Sequence, residues 1–314
     1  MLQTLKTGLL SGLKTTWTLG KIIFPITLLI TILQYTPILP WIIKIISPLM
    51  GMIGLSGDAA IPIVLGNFLN LYAGIAGILS VDLTVKEVFI IAVMLSFAHN
   101  LFIESSVAIK VGVRIWVMIV VRVGLAILSA IFINLFWHGG HQPAHYSAMA
   151  PVQESITGVW PVILDGIEKA ALGVYKLAEI VIPLMIGIQI LKDLQLLKIF
   201  SRWMAPVTRL LGMKENTSTT LAAGLFFGLA YGAGVMIQAV QEDGVSKKDA
   251  TLAFIFLCGC HAVVEDTLIF VPLGIPVIYL LLVRLFTAII LTFIVGFIWN
   301  RMNFQKSTPT TIEG

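Results

Sequence analysis

The sequence predicts an all-α, polytopic membrane protein with two homologous halves, about five helical segments in each. The halves form an inverted repeat, with some segments broken or re-entrant. Three observations carry that reading. The chain is 58% hydrophobic and only 11% charged, with a mean hydropathy of +0.99, whereas soluble domains carry about 25% charged residues. The apolar residues come in long runs, Ile22–Ile32, Ile115–Phe136 and Leu268–Ile298, the last two each interrupted by one arginine. Runs of roughly 18 or more apolar residues read as membrane-spanning helices, because in lipid a helix satisfies its own backbone groups. The third observation is an internal repeat.

The repeat shows as matched motifs at a fixed spacing. Phe24-Pro25-Ile26 returns as Ile182-Pro183-Leu184, Ser47-Pro48-Leu49 as Ala205-Pro206-Val207, and Ile53-Gly54-Leu55 as Leu211-Gly212-Met213, each 158 residues later. Thr84-Val85-Lys86-Glu87 pairs with Ser246-Lys247-Lys248-Asp249; in both, a hydroxyl N-cap is followed three residues on by an acid that can return a hydrogen bond. Beyond these, His99 pairs with His261, Glu104 with Asp266, Gly112 with Gly274 and Arg122 with Arg284.

Taken in order, residues 1–137 form the first repeat, 138–162 an external linker, 163–302 the second repeat and 303–314 a polar, disordered tail. Leu5–Thr16, with Lys6 and Lys14 among leucines, reads as an interfacial amphipathic helix leading into the first span. The helical segments are expected near 20–36, 41–53, 59–80, 87–103 and 110–137, then 173–192, 196–212, 218–240, 249–264 and 274–300. Segments 41–53 and 196–212 carry bases and a proline, and each spans, re-enters or lies in the interface. The linker holds no Lys or Arg, while Lys6, Lys14, Arg301 and Lys306 lie near the termini. The positive-inside rule therefore puts the linker outside and both termini inside a cell membrane. An odd number of crossings per half achieves this with inverted halves; with the two ambiguous segments in plane the count becomes four plus four and the halves parallel.

Ionisable residues inside lipid are functional candidates by default, and here they gather at equivalent points of the two halves. One cluster holds Ser96, His99, Asn100, Glu104, Ser105 and Ser106. The other holds Cys258, Cys260, His261, Glu265, Asp266 and Thr267. Glu265 has Ile103 as its counterpart. His261 and Glu265, at i and i+4, would share a helix face. A break just after each histidine would bring it to the acid five residues on. Pro272, Gly274 and Pro276 interrupt the second half after its cluster. Asn67, Asn70, Tyr72 and Tyr231, inside Gly-rich stretches, are polar enough to line a cavity. The functional reading is a substrate and ion site where the clusters meet; the structural alternative is that they tie helix ends together. Arg122 and Arg284 are expected to turn inward, onto Glu104, Glu265, Asp266 or helix-end carbonyls, since a guanidinium stays charged.

Cys258, Cys260 and His261 offer soft metal ligands, but small size accounts for both cysteines, which match Ser96 and Ala98. His138, His141 and His145 in the linker read as solvated. No phosphate-binding Gly-x-x-x-x-Gly-Lys loop, Gly-x-Ser-x-Gly elbow or HExxH occurs, so neither enzyme chemistry nor a cofactor is expected. The net charge of +4 comes from bases scattered near segment ends, which speaks for a lipid bilayer and against nucleic acid.

Phe97-Ala98-His99-Asn100 with Glu104-Ser105-Ser106, and Cys258-Gly259-Cys260-His261 with Glu265-Asp266-Thr267, resemble the nucleoside-recognition or Gate domain. That domain is found in the membrane part of bacterial ferrous-iron transport protein B, in spore maturation proteins A and B, and in concentrative nucleoside permeases. The resemblance covers nearly the whole chain and implies a small-molecule or ion substrate, nucleoside-like by the family's name. Two functions follow as expectations: a secondary permease for a small polar solute, or a non-transporting assembly factor in envelope or spore maturation. The second would act through a membrane partner protein, and either could act as a homo-oligomer.

Overall fold

The computed structural model describes residues 2–36, 38–144, 158–194 and 196–307, and for some helical residues the backbone alone. These residues are helical almost throughout. In chain order the helices are α1 (Leu2–Gln34), α2 (Ile38–Met52), α3 (Ala60–Phe68), α4 (Leu71–Leu79), α5 (Val85–Ala98), α6 (Leu101–Lys110) and α7 (Ile115–Phe136). There follow α8 (Val159–Asp193), α9 (Leu196–Leu210), α10 (Ser218–Tyr231), α11 (Ala233–Glu242), α12 (Lys247–Gly259), α13 (Glu265–Leu268) and α14 (Val277–Ser307). Among the described residues, Val85–Lys110, Ile115–Phe136 and Val277–Arg301 are long and apolar enough to cross a membrane.

Several boundaries depart from the sequence expectations. The interfacial stretch Leu5–Thr16 and the first span form one helix, because no breaker precedes Pro25. Segment 59–80 is two helices, since Leu69 leaves helical geometry and Asn70 is extended, with φ −165°. Helix α8 begins at Val159, inside the expected linker. The last helix runs to Ser307, into the segment expected to be disordered; residues 308–314 lie outside the described ones.

The matched caps form as the sequence motifs require. Thr84 and Glu87 make a reciprocal capping box at the start of α5, and the Ser246 hydroxyl accepts from the Asp249 amide at the start of α12. Gly54 and Gly212, matched in the repeat, both take positive φ, 79° and 81°, just beyond α2 and α9. There only a residue without a Cβ turns the chain at little cost.

The chain divides into two compact units, and each contains a piece of both repeats. The first holds the chain up to Phe102, then Arg122 to the end of α8, then Val264–Leu281. The second holds Ile103–Val121, the chain from α9 to Val263, and Leu282 onward. The segment after each histidine is therefore exchanged: 264–281 of the second repeat belongs with the first repeat's frame, and 103–121 of the first with the second's.

In the first unit, α1 and α8 run antiparallel at close range. A Cβ on Gly8 would sit 2.7 Å from Ile186 Cα, and one on Gly12 2.9 Å from Ile182 Cα, while further along Gly20 faces Val174 and Gly166 faces Leu28. Small residues at such crossings let helix backbones approach where lipid supplies no hydrophobic drive. Helices α3 and α4 fold back on each other, with Gly77 against Pro62 and Gly74 against Gly66. Helix α5 is buried on all sides from Val88 to Ala98. In the second unit α12 is likewise buried from Asp249 to Gly259. There α10 bends at Gly228, at φ 74° and ψ −179°, and the chain returns so that Gly232 lies beside Ala223.

Candidate functional site

The site is built on a break that both repeats make at the same place. Helix α5 stops at Ala98, His99 caps it, and Asn100 takes a positive φ of 47°. Helix α12 stops at Gly259, and Ala262 takes φ 40°. Asparagine tolerates this region, but alanine pays roughly 1–2 kcal/mol there, so the surrounding contacts must hold it. The freed amides supply those contacts. Asn100 N–H donates to Gly66 O (2.8 Å), and Ala262 N–H donates to Gly224 O (3.0 Å), with Val263 N–H on Leu225 O beside it (2.8 Å). Gly66 and Gly224 are repeat partners 158 residues apart. Above each sits a leucine: a Cβ would lie 2.4 Å from Leu95 Cδ2 in one case and 2.3 Å from Leu257 Cδ1 in the other. The glycines thus let two broken helices touch backbone to backbone.

Both histidines are fixed the same way. His99 Nδ1 lies 2.7 Å from Leu95 O, and His261 Nδ1 lies 2.7 Å from Leu257 O. A carbonyl only accepts, so Nδ1 carries the proton, and in His261 Nε2 faces Glu104. Behind each ring stands a fully buried arginine. Arg122 donates from Nε to Phe97 O (2.7 Å) and from Nη2 to His99 O (2.5 Å); Arg284 donates from Nη2 to His261 O. These are carbonyls at the C-terminal ends of α5 and α12, where the helix dipole favours a cation. Of the partners expected for the arginines, helix-end carbonyls are among those bound.

The acids come from the exchanged segments. In the second unit Glu104 Oε2 lies 3.3 Å from His261 Nε2, and both side chains are buried. In the first unit the Tyr72 hydroxyl donates to Glu265 Oε1 at 2.6 Å, again with both buried. A ring nitrogen of His99 and a carboxylate oxygen of Asp266, also in the first unit, lie within 4.8 Å of each other. An acid at the second repeat's histidine is thus one from the first repeat. His261 and Glu265 do not share a helix face, because α12 has ended before His261 and Glu265 opens α13.

The sequence model of the Gate family, described as nucleoside recognition, matches residues 16–136 and again 174–298. The chain belongs to the Gate family. The two matched stretches of this Gate protein begin with the same 158-residue shift as the motifs. It is 62% identical over 294 residues to the uncharacterized membrane protein YvoD of Bacillus subtilis (strain 168), covering 94% of each chain.

Within this Gate protein the remaining predicted residues divide clearly. Asn67 and Asn70 serve the hairpin: Asn67 Nδ2 donates to Ile63 O (2.7 Å), and Asn70 caps α4 by accepting from Ala73 N–H (2.9 Å). Thr267 is buried in the first unit beside Asp266 in sequence. Ser105 is fully buried in the second unit, and its Oγ has no hydrogen-bond partner among the described residues; the same holds for Asn100 Oδ1 in the first. Cys258 points its thiol at Met118 Sδ, 3.7 Å away, and Cys260 is buried and free of any disulfide. The side chain of Tyr231, and His145 in the linker, lie outside what is described. Sequence reading missed the carbonyls of Gly66 and Gly224. Their matched Gly-rich surroundings were the available signal, read only as close packing.

Proposed function

We propose that this Gate-family membrane protein is a secondary permease for a small polar solute, nucleoside-like in its hydrogen bonding. The Tyr72–Glu265 hydrogen bond carries the reading. It sets a buried acid, present in one repeat only, against the broken hairpin of the other repeat. The Tyr72 hydroxyl offsets part of the cost of burying that carboxylate, and Glu265 opens α13 just after the break at Ala262, where a hydroxyl-rich or amine-bearing solute would also bond to it. Broken helices that free backbone groups next to ionisable side chains are how secondary transporters form solute sites. The buried oxygens of Asn100 and Ser105, without a hydrogen-bond partner among the described residues, support the same reading.

The inverted arrangement is supported by α1 running antiparallel to α8, its repeat partner. With the base-free linker outside, both termini face the cytoplasm. A solute-stability screen tests the function. Purified protein is warmed with nucleosides, divalent metals or envelope precursors, and a nucleoside is expected to raise the melting temperature. No response to any solute, together with a stable stoichiometric partner on purification, would instead establish the assembly-factor role.

A further inference from the structure

Helix α9 divides around its axis into three sectors. Met204 and Thr208 are buried, as is Leu211 just past the helix end, and Phe200 packs edge-on against Phe226 of α10 with centroids 5.0 Å apart. Ile199, Trp203 and Leu210 are exposed, Trp203 at 72%. Arg202 and Arg209 are exposed too, and at 3.6 residues per turn they fall together on one flank of that apolar strip. Fifteen residues give a helix of about 22 Å, short of the ~30 Å hydrocarbon core. The shape is that of a helix lying in the interface.

Helix α2, its repeat partner in the other unit, repeats the apolar strip. Trp41, Ile45 and Met52 stand where α9 has Ile199, Trp203 and Leu210, and all three are exposed. The α2 segment Lys44–Met52 meets Gly57–Phe68 at 90°. The charge differs. Lys44 matches Arg202, but Gly51 stands at the position of Arg209.

We propose that α9 lies along the cytoplasmic surface of the bilayer, with its apolar strip in the acyl boundary and Arg202 and Arg209 on the phosphates of anionic lipid. The cytoplasmic leaflet is the one that attracts such bases, and α2 carries the same apolar strip with one base fewer. Arg209 also pairs through Nε with Glu215 at 2.7 Å; both side chains are more than half exposed, and such pairs are weak enough to admit a phosphate. The proposal rests on the membrane reading and not on the permease reading, and an odd number of crossings per half is kept with 41–53 and 196–212 in plane, because 59–80 and 218–240 each double back.

The test follows the melting temperature of the full chain in detergent as phosphatidylglycerol, phosphatidylcholine or soluble glycerol 3-phosphate is added. Phosphatidylglycerol is expected to raise it well beyond phosphatidylcholine. Arg202→Gln with Arg209→Gln should lose most of that rise, and Lys44→Gln should keep it. Equal shifts with the two lipids, an equal shift with glycerol 3-phosphate, or an undiminished response of the double variant overturns the proposal. If the double variant does not fold, a dye on Leu210→Cys decides, in a Cys258→Ser, Cys260→Ala background that copies Ser96 and Ala98. Quenching by brominated acyl chains is expected, and quenching by aqueous iodide alone overturns the proposal.

Discussion

Tyr72 and Glu265, 193 residues apart in the chain, meet inside the first unit through a 2.6 Å hydrogen bond. The bond ties the second repeat's exchanged segment to the first repeat's hairpin. Tyr72→Phe removes the donor and should cost about 1–3 kcal/mol, the penalty for a buried acceptor left short. Glu265→Ile, which copies Ile103, should cost less once Tyr72 is already Phe. Melting temperatures of both single variants and the double one measure the coupling. Strictly additive losses would contradict the bond.

Arg122 and Arg284 should each be irreplaceable by lysine. Each guanidinium holds the carbonyl of the histidine at the helix end, and Arg122 holds the Phe97 carbonyl as well, with a planar fork that an ammonium lacks. Arg122→Lys and Arg284→Lys are each expected to lower stability by roughly 1.5–3 kcal/mol, the worth of hydrogen bonds to a charged group. Unchanged thermal unfolding in either variant would show that the carbonyl contacts are incidental.

Gly66→Ala and Gly224→Ala should destabilise by about 1–3 kcal/mol through overpacking. The new methyl groups would meet Leu95 and Leu257, and those side chains suggest the remedy. Adding Leu95→Ala to Gly66→Ala, or Leu257→Ala to Gly224→Ala, should cost less than the separate losses summed. Additive losses in the double variants would mean that the close approach is not limiting.

Labelling of single cysteines at Gln142 and Thr308 checks the orientation. An impermeant reagent on intact cells should modify the first and spare the second. Equal labelling at both positions would remove the inverted arrangement and favour parallel halves.

The repeat, its caps, the broken segments and the inward arginines were legible because each is written in short-range chemistry. Pro25 against Pro183, Thr84 against Ser246 and Arg122 against Arg284 stand at matched spacings, and each motif imposes its own local geometry. The exchange was not legible. A break after His99 or His261 says that the chain turns there, but where Glu104 and Glu265 then settle depends on which frame packs them. Sequence distance pairs Glu104 with His99, five residues before it, and gives no sign that Glu104 reaches His261. The hairpin of α3 and α4 was hidden for a related reason: its glycines suit one smooth packed helix as well as two that double back.

Uptake by the purified chain in proteoliposomes tests the permease reading most directly. Labelled nucleosides are offered to vesicles holding the wild type, Glu265→Gln, or Glu104→Gln with Asp266→Asn. The expected result is uptake above empty vesicles for the wild type, sharply reduced by Glu265→Gln and abolished by the double variant, with all three proteins melting as folded species. Full uptake by the double variant, or none by the wild type for any nucleoside, would contradict the carrier and its site.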